Sequence, residues 1–136
     1  MILVDGHNLL FASRTRFAAQ LLDGHPGTAA REALVQQLVA VFDQPGQLVR
    51  VYFDGDEPHA EQRSAQVEVI YPGGTGHQRA DHAILDALRE LGSNDVDTAV
   101  VVTRDVKLAR HARRRGASVV DPAEFMADCD QAVMRA

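Results

Sequence analysis

The 136-residue sequence holds a single cysteine, so no internal disulfide can form. Such sparing use fits a reducing compartment, and a cytoplasmic protein is expected. Cys129 lies on the apolar stripe Phe125, Met126, Cys129, Val133 and reads as a core thiol. No apolar run reaches the ~18 residues that a membrane-spanning helix needs, so no membrane role is expected. β-like residues begin at Ile2, so no signal peptide is expected. Repeats, low-complexity tracts and linkers are absent, and the length suits one domain, residues 1–136, with one core. Several catalytic signatures are missing too. "GGTGHQR" is not followed by Gly-Lys-Ser/Thr and is no P-loop. His77, Asp81 and His82 lack the His-x-x-x-His spacing of a helical zinc site. No serine or cysteine sits in a nucleophile elbow.

Net positive charge is also lacking. The formal charge is −5, which argues against a general nucleic-acid binder. The distribution is uneven, however. Residues 104–115, "RDVKLARHARRR", carry six basic residues and one acid, while the rest of the chain carries eight basic and eighteen acidic residues. One basic stretch on an acidic body is either a solvated helix face or an anion-binding one.

Five short β-like runs alternate with helical patterns. The first strand is Ile2–Asp5. Leu9–Leu22 and Thr28–Phe42 read as helices parted by "DGHPG". In the second helix, Leu34, Val35, Leu38, Val41 and Phe42 form an apolar stripe. "QLVRVYFDG" is the second strand and ends at Asp54; "DEPHAEQRSA" reads as a loop or short helix. "VEVIY" is the third strand, followed by a flexible "PGGTG". Residues 80–91 form a helix, "TAVVVT" the fourth strand, residues 105–115 the basic helix and "ASVV" the fifth strand. Asp121 and Pro122 open a last helix, with proline at its favoured first position. This alternation predicts an α/β fold with a five-stranded parallel sheet in the order 3-2-1-4-5 and helices on both faces. Ligands in such sheets bind at the carboxyl ends of the strands, near the switch point between strands 1 and 4.

Aspartates gather at that edge. Asp5 ends strand 1, Asp54 ends strand 2, and Asp105 follows strand 4 by two residues. Asp81 begins the helix before strand 4, three and four residues ahead of the buried-stripe residues Ile84 and Leu85, so it points inward. Asp86 points away. Each carboxylate alone has a plain reading as a turn former or helix cap. Turns and caps do not require four of them to converge, and two charges about 4 Å apart repel by about 4 kcal/mol at an effective dielectric near 20. A hard divalent cation, Mg²⁺ or Mn²⁺, would remove that repulsion. Asp5, Asp81 and Asp105 are the expected principal ligands, with Asp54 supporting. The matching chemistry is metal-assisted phosphoryl transfer to water. Lys107, Arg110, His111 and Arg114 share the outer face of the basic helix and, with Arg79 and Arg104, are candidates to hold a nucleic-acid backbone. Asn8 is either a helix N-cap or a contact to water or phosphate. Thr103 either caps the basic helix or holds Asp105 in place.

The motifs "ILVDGHNLL", "VYFDG", "RADHAIL", "VVVTRD" and "GASVVDPAEF" resemble, in this order, an NYN domain of the PIN-like ribonuclease superfamily, in its YacP-like branch. The resemblance spans essentially the whole chain. It implies a compact α/β fold with a metal-dependent acidic site that cuts RNA, endonucleolytic cleavage being preferred to exonucleolytic. It assigns the site to Asp5, Asn8, Asp54, Asp81 and Asp105. It also implies RNA as partner, with a ribosome or other RNA–protein assembly as a further candidate. Many relatives place an acid or amide two positions after the aspartate of "TRD"; here that position is Lys107. A non-catalytic RNA-binding or protein-interaction module is therefore the alternative reading. A haloacid-dehalogenase-like phosphatase is a weaker third, because His7 stands where that pattern needs a second aspartate. The number of metal ions, the choice of RNA over DNA and the oligomeric state are left open.

Overall fold

Helices and strands alternate along the chain because the apolar period alternates between 3.6 and 2. The structure is a computed structural model and describes residues 1–13, 21–22, 25–55, 57–74 and 79–135. In chain order the elements are β1 (Ile2–Asp5), α1 (Gly6–Ala12), β2 (Leu21–Leu22), β3 (His25–Pro26), α2 (Thr28–Val41), β4 (Val49–Tyr52), β5 (His59–Gln62), β6 (Val67–Tyr71), α3 (Arg79–Asp95), β7 (Val100–Val102), α4 (Val106–Arg114), β8 (Ser118–Val120) and α5 (Pro122–Arg135). A 3-10 turn, Val96–Thr98, joins α3 to β7.

The main sheet has six strands in the order β5-β6-β4-β1-β7-β8. Its five parallel strands take the expected order, with β1 paired to β4 on one side and β7 on the other. The sixth strand corrects the expectation. His59–Gln62, read as loop or short helix, pairs antiparallel with β6 and makes the sheet mixed. All four of its residues are exposed, so it shows no apolar alternation and is held by its ladder to β6.

Two further boundaries differ. Instead of a helix over Leu9–Leu22, α1 spans Gly6–Ala12 and Leu21–Leu22 pairs with His25–Pro26; residues 14–20 lie outside the described residues. α3 runs on to Asp95, through a break at Gly92, whose φ of 78° is left-handed.

Strand alternation divides the core. Val4, Val51, Phe53, Val69 and Val102 face α1, α2 and α5, against Leu9, Leu34, Leu38 and Met126. Leu3, Tyr52 and Val101 face α3 and α4, against Ile84, Leu88, Leu108 and Ala112. Leu3, Leu34 and Leu38 are fully buried, and each such side chain contributes about 1.5–3 kcal/mol. Cys129 is a buried thiol, outside any disulfide, in the first of these layers. Among the described residues no helix is long and apolar enough to cross a membrane.

Candidate active site

The same alternation positions the polar ends of the strands. Residues two apart share a face, so Asp5 follows Leu3, Asp54 follows Tyr52, and Thr103 follows Val101. All three belong to the face covered by α3 and α4. α3 brings Asp81 to that edge in its first turn, and Asp105 is the N-cap of α4. Gly6 permits the tight passage from β1 into α1. A Cβ there would meet the Phe53 ring at 2.4 Å and the Tyr52 carbonyl oxygen at 2.8 Å.

The four carboxylates have unequal surroundings. Asp5 is 6% exposed, and burial, followed by the Asp81 charge, pushes its pKa up to about 7. The Thr103 hydroxyl, which donates to Asp5 Oδ2 at 3.1 Å, and the Asn8 backbone N–H favour the charged form but do not offset burial. Asp81 is half-buried. Desolvation, then the charges of Asp105 and Asp54, push its pKa up to about 6. Asp54 Oδ1 accepts the N–H of Ala80 at 3.0 Å and so closes the start of α3 from another strand. Asp105 Oδ1 accepts the N–H of Leu108 at 3.0 Å and caps α4.

The flanking groups interlock. Thr103 Oγ1 also accepts the Asp105 N–H at 3.1 Å, so one hydroxyl ties Asp5 to the α4 entry. Asn8 is inside α1 rather than its N-cap, because the helix starts at Gly6 with Asp5 in the capping position. Its Oδ1 accepts the N–H of Arg104 and latches α1 to the β7–α4 loop. Arg104 is committed to Asp121 through two bonds of 2.8 and 3.1 Å, and this holds the Asp121 carboxyl below the usual range. Lys107, Arg110 and Arg114 are exposed on α4. The Arg79 side chain and residues 75–78 of the glycine loop lie outside the described residues. Asp86 is exposed and pairs with Arg89 at 2.9 Å.

Two histidines join the site that residue spacing did not single out. His7 Nδ1 makes a 3.5 Å contact with Asp54 Oδ2, and its ring packs on Phe53 at 5.7 Å. His82 lines a cavity of about 80 Å³ together with Asp81, Lys107 and His111. The adjacency of His7 to Asp5 and of His82 to Asp81 was the available signal.

The YacP-like NYN domain model matches residues 2–135. The chain belongs to the YacP-like NYN domain family. Two crystal structures of Rae1 (YacP) from Bacillus subtilis, one of them a point mutant, share its fold. The first has TM-score 0.76 and 24% identity, covering 99% of this chain and 76% of that one. The mutant has TM-score 0.75 and 23% identity, covering 98% and 76%. No curated protein matches the sequence. NYN domains include RNA-processing nucleases, which makes this a nuclease-like chain.

Whether these residues suit a divalent ion depends on their chemistry. Among the described residues no three Asp, Glu, His or Cys side chains are grouped to hold one ion. The donor set nevertheless fits a hard cation: Asp5 and Asp81 supply only oxygen, and the charge of Asp81 disfavours ionisation of Asp5 as those of Asp105 and Asp54 disfavour ionisation of Asp81. A cation between them would remove that penalty. Among the described residues, Asp105 bonds a helix N–H through Oδ1 alone, whereas Asp54 bonds a helix N–H through Oδ1 and contacts His7 through Oδ2.

Proposed function

We propose that this NYN domain is a Mg²⁺- or Mn²⁺-dependent ribonuclease that cleaves RNA internally. The observation that carries the reading is the cluster of carboxyls at the carboxyl edge of the parallel strands, where Asp5 is buried and raised by the charge of Asp81, and Asp81 by those of Asp105 and Asp54. Membership of a family that includes RNA-processing nucleases supports it. Asp5 and Asp81 would hold the ion, with Asp105 and Asp54 as further oxygen donors. Bound there, it would supply an acidified water and neutralise charge on the phosphate.

The chain's own residues do the positioning. Thr103 orients the Asp5 carboxyl, and Asn8 fixes the loop that presents Asp105. Lys107 and His111 flank Asp81 and place positive or hydrogen-bonding groups beside a bound phosphate. Arg110 and Arg114, with Arg79, extend that contact along the backbone without selecting sequence. Arg104 serves here through its backbone N–H and the Asp121 pair. We take residues 1–136 as one domain working in the cytoplasm, where the Cys129 thiol stays reduced. A ribosome or other RNA–protein assembly is a partner to test by co-sedimentation.

The deciding experiment incubates RNA blocked at both ends with Mn²⁺ and either wild-type or Asp81→Asn protein. Wild type is expected to give internal fragments and the variant none. Equal product from both, with contamination excluded, would refute the proposal. A second reading, a non-catalytic RNA-binding or protein-interaction module, is favoured by Lys107, whose positive charge lies in the cavity beside Asp81. Binding without product across several RNAs would establish it.

A further inference from the structure

We propose that the hollow between α2 and the β5–β6 hairpin is a subsite for one nucleotide of single-stranded RNA. It holds the base against Tyr71 and an acceptor oxygen of the nucleotide against Arg31. Its volume is about 580 Å³, within the range of small-ligand pockets.

Three observations converge on it. First, Arg31 is incompletely satisfied. Its Nη2 donates to Thr28 Oγ1 at 3.2 Å, but its buried Nε has no hydrogen-bond partner. A buried donor on a charged group is costly to leave unpaired, and the cost is relieved when the guanidinium turns to meet a phosphate or base oxygen in the hollow. Second, the two arginines of the hollow are engaged differently. Arg63 makes a bidentate pair with Glu32 and approaches Glu61 at 3.8 Å. Arg31 makes no direct ion pair among the described residues, so its guanidinium is the one not already committed to a carboxylate. Third, its walls are aromatic. The Arg31 guanidinium carbon lies 5.8 Å from the Tyr71 ring centre and 5.9 Å from that of Phe53.

These rings continue in both directions. His59 packs on Tyr71 at 6.2 Å, Tyr71 on Phe53 at 5.8 Å, and Phe53 on His7 at 5.7 Å. His7 touches Asp54 of the acidic edge. A row of rings therefore links the hollow to the carboxylates, and because Phe53 is fully buried the ring it offers to a base is that of Tyr71. Rings combined with an arginine form a stacking platform for unpaired bases, whereas a duplex has no free base face to offer. The opposing view makes Arg31 a purely structural clamp between two rings. It leaves the unpaired Nε unexplained.

The subsite rests on the reading of this chain as RNA-acting, and not on its cutting RNA. The test measures fluorescence anisotropy of a labelled eight-nucleotide single-stranded RNA on Asp81→Asn protein, so that the RNA stays intact. Arg31→Met and Tyr71→Ala, each added to that background, are expected to weaken binding roughly tenfold. Tyr71→Phe should retain most of the affinity, because it keeps the ring. Arg31→Met should also leave the melting temperature unchanged or raised, since it removes the unpaired donor and keeps the stem. Unchanged affinity in both Arg31→Met and Tyr71→Ala, or a parent that binds no single-stranded RNA, overturns the subsite. If these variants lose binding while wild type cuts nothing, the subsite stands and the ribonuclease reading falls. If wild type cuts in an Asp81-dependent way while the variants bind as the parent does, the subsite alone falls.

Discussion

Asp5 and Asp81 differ from Asp54 and Asp105, although all four aspartates meet at one sheet edge. Asp54 accepts a backbone N–H at the start of α3, and Asp105 does so at the start of α4. Each has an ordinary stabilising task there. At Asp5 the bonds from the Thr103 hydroxyl and the Asn8 N–H are outweighed by burial, and Asp81 is raised by burial and neighbouring charge. Their pKa values are pushed up to about 7 and about 6. Placing a carboxylate where it destabilises the fold is the pattern of a site whose ligand is charged oppositely. Two of the four therefore have a structural account, and two call for a functional one.

The largest expected effect separates the pair from a bystander. Asp5→Asn and Asp81→Asn should each lower RNA cleavage on the order of 10³-fold, while Asp86→Asn on the same helix stays within about twofold of wild type. Comparable losses at all three would dissolve the distinction. Next in size is a stability gain. At pH 8 without metal, Asp5→Asn should raise stability by roughly 2 kcal/mol, a melting shift of about 5 °C, because it removes a buried charge. By contrast, Asp105→Ala should lower it by about 1 kcal/mol through loss of a cap. Melting shifts of the same sign would break the comparison.

The pH dependence sharpens it further. An unfolded aspartate titrates near about 4, below both folded values, so the folded chain holds more protons between these limits. Stability of the metal-free protein should then fall as pH rises from 5 to about 7.5 and level off above, by calorimetry. The rise in melting temperature on adding Mn²⁺ should grow over that window, since the ion needs ionised carboxylates. A Mn²⁺ increment that shrinks with pH would contradict the pair. The smallest effect belongs to α4. Arg110→Ala and Arg114→Ala should each reduce the salt dependence of RNA affinity by about one unit of slope, without changing sequence preference.

Most of the site was legible because strand parity is a local property. Asp5 and Asp54 each end an apolar run, and one register of a parallel sheet brings such ends together. Thr103 was legible as an anchor near Asp105, but its bond to Asp5 spans 98 positions in the chain and could not be read from spacing. Asn8 misled because a helix was expected to begin at the first apolar residue, Leu9, whereas Gly6 allowed it to begin three residues earlier. The strand His59–Gln62 was invisible because all its residues are exposed, so no hydrophobic period marks it.

By itself, the sequence determined the parallel core, its strand order and the carboxylates at its edge, since apolar period and short connections leave few arrangements. Only the tertiary structure decided which carboxylates are bound to helix ends and which are raised by burial and neighbouring charge, and that Arg31 lies between Phe53 and Tyr71 with an unpaired nitrogen. Burial and hydrogen bonding depend on neighbours distant in the chain, and a one-dimensional pattern does not contain them.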